Sequence, residues 1–130
     1  MTRVVLDASA LLAVMNSEPG ADVVRASIAD AFISAVNYSE VLKKTIERNV
    51  AVETLYALVR TASLEIVPFD APLAEASARL FPETKKFGMS FADRACLALG
   101  IQLNLVVLTA ERKMRIKSLP ITVKLIRNAH

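Results

Sequence analysis

Short runs of aliphatic residues alternate along this chain with longer stretches whose apolar residues recur at helical spacing, and that alternation constrains the fold more than any other feature. Strands are expected at Val4–Leu6, Ala31–Ile33, Leu64–Val67, Leu105–Leu108 and Thr122–Leu125. Helices fill the intervals, at Ser9–Asn16, Ala21–Ala29, Ala35–Arg48, Val52–Ala62, Pro72–Lys85 and Ala92–Asn104, with a short one after Thr109. Such an alternation indicates βαβ units, in which each crossover lays a helix back over a parallel sheet. The pattern therefore predicts a single α/β domain with a central parallel sheet of about five strands flanked by helices. Glu18-Pro19-Gly20 ends the first helix, and Lys85-Lys86-Phe87-Gly88 separates two later ones.

A chain of 130 residues fits one domain, and 54% hydrophobic with 5% aromatic residues makes the core aliphatic. One cysteine, Cys96, excludes an internal disulfide and a Cys-rich zinc site. It shares a side of the apolar helix Ala92–Asn104 with Gly100, so close packing explains both better than chemistry does. Met-Thr-Arg leads into the first strand without a signal-peptide pattern, and the stretch "ACLALGIQLNLVVLTA" is interrupted by Gln102 and Asn104. A soluble, cytoplasmic protein with no membrane association is expected.

Net charge is +3, unevenly placed: residues 1–65 carry 6 basic and 8 acidic side chains, and residues 66–130 carry 10 and 5. Six basic residues stand against one acid between Glu111 and Arg127. A polyanionic partner is permitted, and so is an ordinary solvated surface.

Four carboxylates do not read as simple surface charge. Asp7 ends the first strand in "VVLDASALLAVMN", and ligands of parallel α/β sheets bind beyond the carboxyl ends of strands. Glu111 holds the corresponding place after "LVVL", Asp93 enters from the start of a buried helix, and Glu40 from the second turn of Ala35–Arg48. That helix is expected to bury Val41, Leu42, Thr45 and Ile46, leaving Glu40 at the rim. Each acid also has a plain structural use. Asp7 can cap a helix, Ser90 to Asp93 has capping-box form, Glu40 can pair with Lys44, and Glu111 can sit on a helix dipole. If all four converge, their mutual repulsion requires a cation, and hard oxygen donors suit Mg²⁺ or Mn²⁺ in phosphodiester chemistry. No other catalytic set competes: His130 is the only histidine, and no Gly-rich phosphate loop is present.

The stretches "VVLDASALLAVMNSEPG", "AVNYSEVLKK", "MSFADRACLALG" and "VVLTAERKM", in this order and spacing, resemble the PIN domain of VapC-type toxins from bacterial toxin–antitoxin pairs. The resemblance covers nearly the whole chain, residues 1–130 being read as one PIN domain. It implies that Asp7, Glu40 and Asp93 are the catalytic, metal-binding acids, with Ser9, Ser90 and Thr109 as polar neighbours that orient them. The family pattern after the fourth strand is usually Thr-x-Asp, whereas this chain has Thr109-Ala110-Glu111, with Lys113-Met114-Arg115 where an aromatic residue often follows. The resemblance further implies a Mg²⁺-dependent endoribonuclease that forms a homodimer and is silenced by a VapB-type antitoxin. Arg112, Lys113 and Arg115, with Lys43 and Lys44, are then expected to contact the RNA backbone.

Two alternatives stay open at this point. A PIN-fold protein that binds RNA or antitoxin with weak or no cleavage is compatible with Glu111. A receiver domain also has this length and strand number, with Asp70 as phospho-acceptor, but Leu6-Asp7 lacks its adjacent acidic pair, and Asp70-Ala71-Pro72 reads better as a helix cap.

Overall fold

The computed structural model describes residues 3–128. Five parallel strands, β1 Val4–Leu6, β2 Phe32–Ser34, β3 Glu65–Val67, β4 Val106–Thr109 and β5 Val123–Leu125, form one sheet in the order β3-β2-β1-β4-β5. Seven α-helices connect them among the described residues: α1 Ala8–Met15, α2 Ala21–Ser27, α3 Ala35–Glu47, α4 Val52–Ala62, α5 Ala71–Arg79, α6 Phe81–Thr84 and α7 Phe91–Leu103. The central strand β1 is buried throughout, which is why it reads as an unbroken aliphatic run rather than an alternating one.

Side chains alternate across the sheet and divide the core in two. Val4, Leu6, Ile33 and Leu108 pack on one face with Leu11, Val24, Val41 and Leu55 from α1 to α4. Val5, Phe32 and Val107 pack on the other face with Leu73 of α5 and Cys96, Leu97 and Leu99 of α7. Helix α7 is covered on most sides, as its composition predicts. Gly100 lets it approach β4, because a Cβ there would fall 2.6 Å from Val107 Cγ2 and 2.9 Å from Ile121 Cδ1. Cys96 is fully buried, and burial pushes its thiol well above the usual range, which fits packing rather than reactivity.

Most elements lie within one or two residues of the sequence expectation, with three informative differences. The single helix expected over Pro72–Lys85 is broken into α5, α6 and a 3₁₀ turn at Lys85–Phe87. Pro82 has no N–H to donate to the carbonyl of Ala78, so the first helix cannot run through it. The short helix expected after Thr109 is a 3₁₀ turn, Arg112–Met114. On α3 the buried stripe is Asn37, Val41 and Thr45, whereas Ile46, expected inside, is 59% exposed. Thr45 can be buried because its hydroxyl donates to the Val41 carbonyl at 2.9 Å. No helix among the described residues is long and apolar enough to cross a membrane.

Candidate functional site

Asp7 sits where β1 meets α1, and its buried carboxylate is held from three sides. Oδ1 accepts from Ser9 Oγ at 2.7 Å and from the Ala10 N–H at 2.9 Å, capping α1, while Oδ2 accepts from the Thr109 hydroxyl at the end of β4. Ser9 Oγ accepts in turn from the Ala110 N–H at 2.9 Å, and Thr109 Oγ1 from the Glu111 N–H at 3.0 Å. The structural and functional readings of Asp7 are thus compatible, since one carboxylate caps the helix and remains fixed at the carboxyl edge of the central strands. Loss of water raises its pKa from 3.8 to about 6, against the lowering effect of these hydrogen bonds and with a smaller push from Glu111.

Asp93 and Ser90 form a reciprocal cap at the start of α7: the Ser90 N–H donates to Asp93 Oδ2 at 2.9 Å and the Asp93 N–H to Ser90 Oγ at 3.2 Å. Glu40 is half-buried on α3. Its pKa is raised first by desolvation, and Asp93 and Glu111 add to the rise while Lys44 opposes it. The four acids therefore act on one another across the same edge of the sheet. In this conformation, however, no three or more His, Cys, Asp or Glu side chains among the described residues are gathered closely enough to hold a metal ion.

A lysine occupies part of that space. Lys113 Nζ lies 3.1 Å from Asp93 Oδ2 and 3.4 Å from Glu111 Oε2, so the charge expected on RNA is engaged with the acids. Lys43 pairs with Glu47 at 3.0 Å on the exposed side of α3. Arg112 and Arg115 line a cleft of about 710 Å³ along β5, together with Lys117, Thr122 and Asn128, and none of the four acids lines it. Asn37, which sequence reasoning passed over, is buried beside Glu40. Its Nδ2 donates to the Ala92 carbonyl at 3.0 Å, tying α3 to the start of α7, and its Oδ1 has no partner. Its position three residues before Glu40 was the available signal.

The donor chemistry fits a hard divalent cation. Carboxylate and hydroxyl oxygens predominate, the acids repel one another, and an ammonium already stands in for a cation between two of them.

These features define an α/β domain with a carboxylate site at the carboxyl edge of its parallel sheet. The PIN domain family model matches residues 4–118, and the chain belongs to the PIN domain family. This sets aside the receiver-domain alternative, and Asp70 indeed caps α5 by accepting from the Leu73 N–H at 3.1 Å. No curated protein sequence matches the chain. Among solved structures, the fold is similar to that of a toxin–antitoxin complex from Klebsiella pneumoniae, at 21% identity and TM-score 0.77, covering 95% of this chain and 98% of that one. It is also similar to DNA-bound VapBC from Salmonella typhimurium, at 18% identity and TM-score 0.72, with 98% and 100% covered. Mycobacterium tuberculosis VapC20, a Sarcin-Ricin loop cleaving toxin, is similar at 16% identity and TM-score 0.72, with 85% and 92% covered.

Proposed function

We propose that this PIN domain is a Mg²⁺- or Mn²⁺-dependent endoribonuclease, the toxin of a type II toxin–antitoxin pair, neutralised by a VapB-type antitoxin. The observation that carries the reading is the buried Asp7 carboxylate, fixed by Ser9 and Thr109 at the end of the central strand with Glu40, Asp93 and Glu111 about it. A desolvated carboxylate of this kind is costly unless a charge or a task is matched to it. The likeness to VapBC complexes supports the antitoxin partner. A homodimer in the cytoplasm completes the reading.

Asp7, Asp93, Glu40 and Glu111 would hold the metal, which when bound lowers the pKa of water and polarises a phosphoryl oxygen. The chain's own residues then have separable tasks. Ser9 and Thr109 fix the Asp7 carboxylate, Ser90 fixes Asp93, and Lys44 moderates the charge on Glu40. Arg112 and Arg115 offer cationic contacts for the phosphate backbone, in a cleft whose lining starts one residue after Glu111.

The reading is tested by incubating purified, antitoxin-free protein with total RNA in Mn²⁺, in Mg²⁺ and in EDTA. Discrete fragments that require metal are expected; intact RNA under all three conditions overturns the nuclease and leaves a PIN-fold binding protein. Affinity for RNA should fall with salt, and neutralising Arg112 and Arg115 together should flatten the log–log slope by about 0.7 per lost phosphate contact. An unchanged slope would place the RNA elsewhere.

Glu111 has its own test. Glu111→Gln keeps shape and removes charge, so Mn²⁺ affinity is expected to fall about 10–100-fold, as when a supporting carboxylate is lost, with Glu111→Asp doing less harm. Identical Mn²⁺ titrations for wild type and Glu111→Gln would leave three acids to carry the chemistry.

A further inference from the structure

The turn Arg112–Met114 sends its cations in different directions. A 3₁₀ turn has three residues per revolution, so Arg112 and Arg115 fall on one side, where both line the cleft. Lys113 falls away from them, and its ammonium spans Asp93 and Glu111. These two carboxylates come from different walls of the site, Asp93 from the start of α7 and Glu111 from the loop after β4. Both also raise the pKa of Glu40. A positive charge placed between them relieves repulsion that would otherwise push the walls apart.

The same contact stands in the way of a metal. Asp93 Oδ2 already accepts from the Ser90 N–H and from Lys113, and a cation approaching that oxygen would meet an ammonium in direct contact with it. Lysine suits an exchangeable role better than arginine, being a point charge on a flexible four-carbon stem without a bidentate fork. Its side chain is 39% exposed, so it can swing into solvent at modest cost.

We propose that Lys113 is a tethered counter-ion of the acid cluster: it holds Asp93 and Glu111 together in the metal-free protein and must withdraw before a divalent cation binds. This inference rests on the metal-site reading above. It makes Lys113 a residue that sets metal affinity, distinct from the arginines that face RNA.

The test compares wild type with Lys113→Met, which keeps most of the apolar stem, and with Lys85→Ala, which removes one charge outside the acid cluster. Mn²⁺ binding is followed by calorimetry, and thermal unfolding is recorded in EDTA and in saturating Mn²⁺. Lys113→Met is expected to bind Mn²⁺ about three- to tenfold more tightly, because no ammonium has to leave. It should melt about 2–4 °C lower than wild type in EDTA, and the deficit should vanish in Mn²⁺. Lys85→Ala should match wild type in both respects. Unchanged or weaker Mn²⁺ binding by Lys113→Met, with normal binding by wild type, overturns the proposal and leaves the metal site standing. A loss of salt-dependent RNA affinity with unaltered Mn²⁺ binding would make Lys113 a phosphate contact instead and also overturns it. Absence of Mn²⁺ binding by both proteins overturns the metal reading and the inference together.

Discussion

Replacing Asp7 with asparagine is expected to abolish RNA cleavage and, in the absence of metal, to make the protein harder to unfold near neutral pH. The two effects share one cause. Burial raises the Asp7 pKa from 3.8 to about 6, so between those values the folded chain holds a proton that the unfolded chain releases. Stability therefore falls as pH rises through that window, and the charged carboxylate burdens the fold above it. At 1.36 kcal/mol per pKa unit the burden is about 3 kcal/mol, an order-of-magnitude figure. Asparagine serves equally well as a helix cap and carries no charge to desolvate. The Asp7→Asn variant should thus melt above wild type in EDTA at neutral pH, with the difference shrinking toward pH 4. Saturating Mn²⁺ should raise the wild-type melting temperature and leave the variant's unchanged, because only a protein that binds the ion is stabilised by it. Coincident melting curves in EDTA at neutral pH would show that Asp7 is not strained by burial, and residual cleavage by the variant would remove it from the chemistry.

A second large effect is expected at Gly20, outside the acid cluster. Gly20 opens α2 with φ +94°, and a Cβ at this position would stand 2.7 Å from the Ile126 carbonyl oxygen and 2.8 Å from Ile126 Cγ1. Alanine therefore meets both a left-handed backbone and an immovable backbone atom. The Ile126 N–H is committed to the Thr109 carbonyl at 2.9 Å, so that strand end cannot retreat without loosening β4 beside the site. Gly20→Ala should cost about 2–4 kcal/mol, a fall in melting temperature on the order of 10 °C. A change of less than about 2 °C would mean that the loop before α2 shifts freely.

Much of this architecture was legible because buried parallel strands leave long aliphatic runs between helical patterns. β1 and β4 are the clearest cases, and Asp7 stood out by interrupting one of them at its end. Other features were hidden for identifiable reasons. Apolar periodicity continues across Pro82 and masks the break that its missing N–H makes between α5 and α6. The hydrophobicity of Ile46 points it inward, yet the inward face of α3 is set by Asn37, Val41 and Thr45, and the Asn37 amide N–H and the Thr45 hydroxyl both donate to backbone carbonyls. The direction of Lys113 depends on whether its turn winds at three residues or nearly four per revolution, which a short basic segment does not reveal.

The hydrogen bond from Thr109 to Asp7 joins residues 102 positions apart, and the Ala110 to Ser9 bond spans 101. At ordinary rates of translation, β4 follows β1 out of the ribosome by roughly 5–20 s. Throughout that interval Asp7 lacks the hydroxyl that fixes it, and Glu111 does not yet exist. On the proposed reading, a chain made to cut RNA is harmless to the ribosome producing it until synthesis is nearly finished, and its inhibitor has those seconds to find it.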